Sequence, residues 1–358
     1  MQKKDTTIQP KLLIVSNYSG GYGSERSLED IVTALELDFS IKVVLNESLS
    51  VPNSYLQSSH LIKTRFNVLS QSSKLPKISS LIFWFKLLKS EKPDLVIVNI
   101  SLIPEVIFIA KMLNIKCFVF VRESLIDQKL LFKFYKPFLI KLSTKLVCNS
   151  KYTASMFTQN NTEVVYNTIP FLKIDKPDVI YDYIYVGRIS PRKGVDLLFD
   201  CLSLMDSNVS NLNVAVVGDY KVEDKCFFDN ISNQSKVFKN IAVHFLGYKD
   251  KPAEYINKSR FLVAPSVLPE TFGRTLLEAY SLAVPVISTP AGAYFELNNQ
   301  FGLVAEYFDK DSFLKVLLSS LSIKGDDYLT LCESVFNFSK AFSQNNYKIK
   351  LLGLLQNA

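Results

Sequence analysis

The fold of this chain is decided by residues 261–280, which read FLVAPSVLPETFGRTLLEAY. The apolar run at the start predicts the end of a buried strand, and the proline-containing loop after it leads into a helical pattern. The predicted apolar side of that helix consists of Leu276, Leu277, Tyr280 and Leu282. A buried strand that enters a helix through a short loop is the repeating unit of an α/β sheet.

The helix start within this stretch carries the first candidate binding residues. Thr271 is expected to cap the helix, and Gly273 lies where close approach of a ligand to the backbone would exclude a side chain. The N–H groups of a first helical turn bind anions, and Arg274 is unfavourable there unless an anion lies nearby. A ligand site flanked by Glu270 and Glu278 fits these residues, and so does a well-capped core helix.

The loop from Gly187 to Gly194 repeats this arrangement, with Arg188 and Lys193 between a strand pattern and a helical one. Cations at a helix start oppose the helix dipole, and a bound anion would reverse the sign of that interaction. Loops at the carboxyl ends of neighbouring strands meet in one crevice, where open α/β sheets bind ligands. A diphosphate, which needs cations and N–H donors, fits this crevice, and solvated surface charge is the alternative.

Strand patterns alternate with helical patterns along the whole chain. The strand patterns are 11–16, 41–45, 94–99, 117–121, 146–149, 164–166, 183–186, 214–217, 242–246, 261–264 and 284–288. This alternation predicts an α/β protein with two doubly wound, Rossmann-like parallel-sheet domains facing a cleft. We place an N-terminal domain at 1–170 and a C-terminal domain at 171–335. The helical segment 336–358 is expected to pack back on the N-terminal domain.

The composition indicates a soluble globular protein, since 48% of the 358 residues are hydrophobic and 21% are charged. The N-terminal residues lack the apolar core of a secretory signal, and no uninterrupted apolar run predicts a membrane span. The five cysteines form no CxxC pair, and His60 and His244 lie far apart. We therefore expect a cytoplasmic protein without a metal site.

Basic residues are concentrated in the first half of the chain. Residues 1–170 contain 21 Lys and Arg against 13 Asp and Glu, whereas residues 171–358 contain 20 against 21. This excess predicts an anionic partner for the first half. Lys129, Lys133 and Lys136 recur at helical spacing among aromatic residues, so contact with an anionic membrane and a solvated helix face both fit.

The first predicted strand, 11–16, ends in a loop that contains Gly20, Gly21 and Gly23. In α/β folds the loop at this position holds phosphates or sugars. The G-G-x-G spacing differs from the G-x-G-x-x-G of dinucleotide-binding proteins, so the loop gives little support for NAD. A tight turn without a ligand remains open.

Several spaced motifs of the second half resemble the nucleotide-sugar domain of glycosyltransferase family 4. They are Gly187-Arg188, Lys193-Gly194, the stretch 270–273 with Glu278, Pro285-Val286-Ile287, and Gly292 with Glu296. The first half resembles the family more weakly, through the glycine loop and through 165–167. The resemblance implies the GT-B fold and a retaining transfer that needs no cofactor and no metal ion. It also implies that the domain at 1–170 binds the acceptor and that the domain at 171–335 binds the nucleotide sugar.

The resemblance also implies roles for individual residues. Arg188 and Lys193 would bind the diphosphate of the donor and stabilise the leaving nucleotide, while Glu270 would lie at the donor sugar. These three are the expected catalytic residues, and Glu278 would accept hydrogen bonds from the ribose. The other expected donor contacts are Gly21, Tyr248, Phe272, Gly273, Arg274 and Thr275, with Tyr248 at the base.

The first half departs from the family in the stretch 118–124, where many relatives carry a histidine. This chain carries Arg122 and Glu123 there. Together with Glu25 of the first loop, they are the expected acceptor contacts, and an ordinary ion pair at a strand end is the alternative for the first two. The D-x-D at 309–311 follows the site, and we interpret it as chance.

The predicted function is transfer of a sugar from a nucleotide-diphosphate donor to a hydroxyl of a glycan or lipid-linked glycan, as in surface polysaccharide synthesis. The protein would act in the cytoplasm or at the inner face of the membrane, without a nucleic-acid partner. A nucleotide-sugar epimerase would need acid and base groups beside the sugar, and the scarcity of histidine disfavours it. A non-catalytic nucleotide-sugar-binding protein is the third alternative, disfavoured by the complete set of Arg, Lys and paired Glu.

Overall fold

The structure, a computed structural model, describes residues 9–17, 23–46, 61–64, 78–123, 129–157, 161–171 and 178–357. The chain divides into two compact units. Unit 1 comprises Met1–Thr168 together with Gln344–Ala358, and unit 2 comprises Ile169–Ser343. Within the described ranges, none of the helices has both the length and the apolar character needed to cross a membrane.

Unit 1 is built on a parallel sheet of seven strands in the order β3-β2-β1-β4-β5-β6-β7. The strands are β1 (Lys11–Ser16), β2 (Ser40–Asn46), β3 (Leu61–Thr64), β4 (Leu95–Val98), β5 (Lys116–Val121), β6 (Lys145–Cys148) and β7 (Thr162–Val164). The helices between them are α1 (Gly23–Leu35), α2 (Ile78–Glu91), α3 (Pro104–Met112), α4 (Lys129–Leu142) and α5 (Lys151–Ser155).

The sheet of unit 1 is covered on both faces, because alternate residues of each strand point to opposite sides. Leu13 and Val15 of β1 pack in one core with α2, α3 and α4, whereas Leu12 and Ile14 pack in a second core with α1. Continuous apolar strands such as β1 are expected in a sheet that is buried on both faces.

Unit 2 contains a parallel sheet of five strands in the order β10-β9-β8-β11-β12. The strands are β8 (Tyr181–Val186), β9 (Leu212–Val217), β10 (Ile241–Gly247), β11 (Ser259–Ala264) and β12 (Val286–Ser288). The helices are α6 (Val195–Met205), α7 (Lys225–Ser235), α8 (Pro252–Ile256), α9 (Arg274–Ser281), α10 (Ala293–Asn298), α11 (Lys310–Ser320) and α12 (Gly325–Ser339). The chain adds strands outward from β8 and then resumes at β11 on the other side of β8, so the strand order reverses between these two.

The last helix, α13 (Gln344–Gln356), follows unit 2 in the chain but belongs to unit 1. Tyr347, Leu351 and Leu355 pack in the same core as α1, and Lys348 forms an ion pair with Asp38 at 2.8 Å. The chain passes from one unit to the other after Thr168 and again after Ser343, whereas the sequence-based boundaries are 170 and 335.

The prediction of two doubly wound parallel sheets is confirmed. Each predicted strand corresponds to a strand of the structure, with ends that agree or differ by no more than two residues. One strand of the structure, β3, was not predicted from the sequence. Its four residues are too few to establish a periodic pattern. The predicted apolar side of α9 is also confirmed, since Leu276, Leu277, Tyr280 and Leu282 are buried.

Candidate active site

Two loops of unit 2 leave the sheet where its strand order reverses. One follows β8 and runs from Gly187 to Gly194, and the other follows β11 and runs from Pro265 to Gly273. Because β8 and β11 are neighbouring parallel strands, both loops leave the same edge of the sheet. Open α/β sheets bind their ligands at such a reversal.

Gly194 brings these two loops into direct contact. It has a φ of +66° and forms the left-handed N-cap of α6, directly after a 3-10 turn at Pro191–Lys193. A Cβ atom at this position would lie 2.0 Å from the carbonyl oxygen of Pro265. Only glycine allows both the conformation and the close approach, so the start of α6 is fixed against the loop after β11.

Lys193, Glu270 and Ser266 form the charged centre of the site. The Lys193 Nζ lies 2.6 Å from Glu270 Oε1, and the Ser266 hydroxyl donates a hydrogen bond to the same oxygen at 2.8 Å. Ser266 is buried, whereas Lys193 and Glu270 are half-buried. The lysine and the carboxylate are therefore held toward each other while part of each stays in contact with solvent.

The backbone of Glu270 is held by a third loop, which follows β12. The Glu270 N–H donates to the Ala291 carbonyl at 3.3 Å, and the Ala293 N–H donates to the Glu270 carbonyl at 2.8 Å. These two hydrogen bonds form an isolated parallel bridge between Glu270 and Gly292. Loops from three neighbouring strands thus determine where this carboxylate lies.

Helix α9 begins at Arg274, and Gly273 is its N-cap with a φ of +84°. A Cβ atom on Gly273 would lie 2.5 Å from the ring of Tyr294. The prediction that Thr271 caps this helix is wrong, because the segment around Glu270 pairs with the loop after β12 and the helix starts later. Gly273 has no side chain and so makes no side-chain cap, and the N–H groups of Leu276 and Leu277 donate to its carbonyl at 3.1 and 3.3 Å.

Two buried tyrosines, Tyr185 and Tyr294, lie close to the Glu270 carboxylate. Burial raises the pKa of both phenols well above the usual range, and the negative charge of Glu270 raises it further. The positive charge of Arg188 lowers the pKa of Tyr185, and the Tyr185 hydroxyl donates to the Arg188 carbonyl at 2.6 Å. The structure therefore places Tyr185 against the backbone of Arg188, in the loop that also carries Lys193.

The other predicted donor residues of unit 2 differ in their exposure. Phe272 is buried like Gly273, whereas Arg274, Thr275 and Glu278 are half-buried on the first two turns of α9. Tyr248 is 70% exposed and follows β10. Since β10 is separated from β8 by β9, and neighbouring strands lie about 5 Å apart, the strand that leads to Tyr248 lies about 10 Å from β8.

Two predicted residues of unit 1 fall on parts of the chain that the structure does not describe. Gly21 lies outside the described residues. Glu25 lies in the first turn of α1, and only its backbone is described. Their predicted contacts with donor and acceptor therefore stay predictions.

Arg122 links two strand ends at the carboxyl edge of the unit 1 sheet. Its Nε donates to Asn99 Oδ1 at 3.0 Å, and its Nη1 donates to Asn167 Oδ1. The guanidinium carbon lies 5.0 Å from the centre of the Phe120 ring, within cation–π range. Asn99 follows β4 and Asn167 follows β7, so the arginine spans the edge between them.

Glu123, the next residue, is a carboxylate held in place by hydrogen bonds. Its Oε2 accepts from the Ser101 hydroxyl at 2.9 Å, from the Ser101 N–H at 3.4 Å and from the Arg122 N–H at 3.2 Å. The Tyr135 hydroxyl donates to the Ser101 carbonyl and so supports this arrangement. Burial raises the pKa of Glu123, and the hydrogen bonds to its carboxylate oppose that rise.

Sequence reasoning missed several residues that hold these groups. In unit 2 they are Ser266, Tyr185 and Tyr294, and in unit 1 they are Ser101 and Asn99. Ser266 stands four residues before Glu270 in a loop, and Asn99 directly follows a buried strand, so their positions at strand ends were the available signal. Tyr185 and Tyr294 gave no such signal, because an aromatic residue within a strand or a helix is usually part of the core.

No three His, Cys, Asp or Glu residues within the described ranges are close enough together to hold a metal ion. Asp309 of the D-x-D is the N-cap of α11, where its carboxylate accepts a hydrogen bond from the Ser312 N–H at 2.7 Å. This capping role accounts for Asp309 without a ligand.

The predicted basic surface lies on α4. Lys133 is exposed, whereas Lys136 is half-buried with its Nζ 6.0 Å from the centre of the Phe157 ring. The side chain of Lys129 lies outside the described part of the structure. Lys141 is exposed on the last turn of the same helix.

Comparison with known proteins identifies relatives of both units. Residues 172–334, less than half of the chain, match the family model described as glycosyl transferases group 1. An uncharacterized glycosyltransferase of Methanocaldococcus jannaschii is 31% identical over 216 residues, 56% of each chain. An uncharacterized 41.2 kDa protein of the Klebsiella pneumoniae cps region is 24% identical over 77% of this chain and 81% of its own. The chain thus spans little more than half of the first of these relatives.

Solved structures resemble the whole chain. The Anabaena protein HepE, crystallised with UDP and glucose, superimposes with a TM-score of 0.75 over 98% of this chain and 100% of its own, at 15% identity. At this identity the likeness shows the fold alone. The expected GT-B fold is thereby confirmed.

Proposed function

We propose that the protein is a glycosyltransferase that moves a sugar from a nucleotide-diphosphate donor to a hydroxyl of a glycan or lipid-linked glycan. One observation carries the proposal, which is the contact between Lys193 and Glu270. The loops that carry these two residues are held together by the close contact of Gly194 with Pro265, where the strand order of unit 2 reverses. The match of residues 172–334 to the group 1 transferase family supports it. We further propose that the transfer retains the anomeric configuration, as the resemblance to family 4 implies.

The charged centre suits the chemistry of a leaving nucleoside diphosphate. When the bond from the anomeric carbon to the diphosphate oxygen breaks, negative charge develops on the phosphate. Fixed cations at that point stabilise the transition state, and each such group commonly contributes about 10²- to 10³-fold in rate. We assign this role to Arg188 and Lys193, assisted by the N–H groups at the start of α9. With these groups as the clamp, we propose that the reaction needs no metal ion.

Glu270 is proposed to bind the donor sugar. Lys193 and Ser266 both contact its Oε1. Its Oε2 is proposed to accept hydrogen bonds from sugar hydroxyls and so to orient the anomeric carbon. Glu278, one turn into α9, is proposed to accept hydrogen bonds from the ribose, and Tyr248 to contact the base.

The acceptor is proposed to bind at the carboxyl edge of the unit 1 sheet. Glu123 Oε2 is occupied by Ser101 and Arg122, which orients Oε1 to accept a hydrogen bond from an acceptor hydroxyl. Surface polysaccharide synthesis is the proposed context, supported by the Klebsiella relative from the cps region. A lipid-linked acceptor would bring the protein to the inner face of the membrane.

A thermal-shift screen tests the donor part of the proposal. The protein is heated with UDP, GDP, ADP or CDP, and UDP is tested first because the Anabaena neighbour was crystallised with it. A ligand at a hundredfold excess over its dissociation constant stabilises the folded state by about 2.7 kcal/mol. Stabilisation by one diphosphate that is lost in Lys193→Ala is expected, and a shift that the variant retains would contradict the assignment.

A second measurement identifies the reaction. The nucleotide sugar that stabilises the protein is incubated with and without a panel of glycan acceptors, and the products are separated. Release of the diphosphate together with a new glycoside is expected only when acceptor is present. An epimerised donor without acceptor would point to an epimerase, and binding without turnover would point to a non-catalytic protein.

A further inference from the structure

We infer that Tyr294 is a positioning residue of the donor site, whose hydroxyl acts on the Glu270 carboxylate through Ser266 and whose ring fixes the start of α9. Tyr294 lies on the first turn of α10 and is 6% exposed. The inference rests on the proposed function, because the groups that Tyr294 positions are those assigned to the donor sugar and to the diphosphate. The packing of the ring is nevertheless tested without any ligand.

The backbone of unit 2 brings Tyr294 to Glu270. The Ala293 N–H donates to the Glu270 carbonyl at 2.8 Å, within the parallel bridge between Glu270 and Gly292. Gly292 is the N-cap of α10, and the Tyr294 N–H donates back to the Ala291 carbonyl at 3.2 Å. The first turn of α10 is thus joined to the segment that carries Glu270, so the side chain of Tyr294 leaves a backbone that is already fixed relative to the carboxylate.

The ring of Tyr294 occupies the space beside Gly273, the N-cap of α9. A Cβ atom on Gly273 would lie 2.5 Å and 2.8 Å from two carbon atoms of one side of the ring. Gly273 has a φ of +84°, a conformation that favours glycine. The ring is therefore in direct contact with the backbone where α9 begins, and it supports the first-turn N–H groups that we assign to the diphosphate.

The hydroxyl of Tyr294 extends a line of polar groups that ends at Glu270. The Ser266 hydroxyl donates to Glu270 Oε1 at 2.8 Å, and Ser266 is also the hydrogen-bond partner of the Tyr294 hydroxyl. A hydroxyl has one hydrogen to donate and a carboxylate only accepts, so donation runs from Tyr294 to Ser266 and on to Glu270. The backbone of Ser266 is held as well, since the Thr289 hydroxyl donates to its carbonyl at 2.5 Å.

Packing alone accounts for the ring of Tyr294 but not for its hydroxyl. Phenylalanine would fill the same space, whereas a buried hydroxyl costs free energy unless it is hydrogen-bonded. Tyr183 of β8 is an example of a structural tyrosine, because its hydroxyl donates to the Leu317 carbonyl of α11 at 2.9 Å. The hydroxyl of Tyr294 lies instead where the charge of Glu270 acts on it.

Ligand measurements on Tyr294→Phe test the role of the hydroxyl. The KM for the nucleotide sugar and the Kd of the free diphosphate are measured, beginning with UDP-glucose and UDP. The variant should raise the KM by about three- to tenfold, as expected for one lost hydrogen bond. It should leave the Kd of the diphosphate unchanged, since Glu270 is assigned to the sugar. Tyr183→Phe is the control and should change neither constant, even where it lowers Tm.

The serine that links the two groups gives a second test. Ser266→Ala should raise the KM for the nucleotide sugar in the same way, and adding Tyr294→Phe to it should cause no further rise, because both act on the same carboxylate oxygen. A Tyr294→Phe variant that keeps its KM, or that weakens both ligands alike, would overturn the role of the hydroxyl. Wild-type protein that neither binds a nucleoside diphosphate nor transfers a sugar would overturn the proposed function, and this role with it.

A double-mutant cycle tests the role of the ring. Gly273→Ala should lower Tm more than Gly302→Ala, because Gly302 has a φ of +71° but no atom within 4 Å of the added Cβ. In a Tyr294→Ala background, the loss from Gly273→Ala should fall to that of the control, since only the backbone strain remains. Tyr294→Ala, unlike Tyr294→Phe, should also weaken binding of UDP. An equal loss from Gly273→Ala in both backgrounds would overturn the role of the ring.

Discussion

The carboxyl edges of the two sheets carry different chemistry. In unit 2 this edge carries a lysine and a carboxylate in contact, brought together where Gly194 meets Pro265. In unit 1 it carries amides around Arg122 and a carboxylate that is held by Ser101. The first arrangement suits a ligand with charge of its own, and the second suits a neutral ligand rich in hydroxyls. The residues that follow the strands, and not the shared sheet architecture, determine this difference.

The strongest test of this comparison removes the cations of unit 2. Lys193→Ala and Arg188→Ala should each lower kcat by about 10²- to 10³-fold, because the developing charge on the leaving diphosphate loses a fixed counter-charge. Steady-state kinetics with a saturating acceptor measure the effect. Lys315→Ala, an exposed lysine of the same unit, is the control and should keep its activity. Equal kcat values in all three variants would contradict the assignment of the donor site to unit 2.

The role of close packing in unit 2 is tested by Gly194→Ala. A left-handed alanine costs about 1–2 kcal/mol, and the Cβ atom would in addition meet the Pro265 carbonyl. Gly302→Ala is the matched control, since Gly302 has a φ of +71° but no atom within 4 Å of the added Cβ. Thermal melting should show a larger loss of stability for Gly194→Ala than for the control. Equal losses would mean that the contact between the loops contributes nothing.

For unit 1, the comparison predicts an effect on acceptor binding alone. Glu123→Gln should raise the KM for the acceptor by about tenfold, because a hydrogen bond to a charged group contributes about 1.5–3 kcal/mol. The KM for the donor should stay unchanged. Ser101→Ala should show a weaker form of the same effect, and Glu163→Gln, exposed on β7, is the control. A change in the donor KM would contradict the division of roles between the units.

The smallest expected effect is a dependence of stability on pH at Glu123. Its pKa is raised in the folded protein, so the folded state holds the proton more tightly than the unfolded chain does. Its contribution to stability is therefore present at low pH and is lost as pH rises above about 4 through the raised pKa. Relative to Glu123→Gln, the wild type should become less stable over this range. Urea unfolding followed by fluorescence of Trp84, which is buried in unit 1, measures the difference.

Much of the fold could be predicted because many strands, such as β1, β4 and β9, contain continuous apolar runs. The stretch 183–186 reads as a buried strand by itself, and it forms the end of β8. The start of α9 could not be predicted. Thr271 is a good capping residue, but the pairing of Glu270 with the loop after β12 overrides this local preference, and such pairing depends on residues far away in sequence.

The charged residues of the two sites could be predicted from the sequence, whereas the residues that hold them in place could not. Lys193 and Glu270 could be singled out because charged residues at strand ends and helix starts need an explanation. Ser266 and Ser101 could not be assigned a role, because a serine in a loop is common and only its distance to a carboxylate distinguishes it. The ring of Tyr294 can lie at the site because Gly273 has no side chain to exclude it. The conformational preference of neither residue predicts this contact.

The position of α13 affects the order in which the protein is completed during synthesis. Unit 2 is continuous in sequence, so it can finish folding once residue 343 has left the ribosome. Unit 1 is started first, but its second core lacks Tyr347, Leu351 and Leu355 until the whole of unit 2 has been translated. The nascent chain must therefore carry an unfinished apolar surface while unit 2 is synthesised, and premature termination within α13 leaves that surface incomplete.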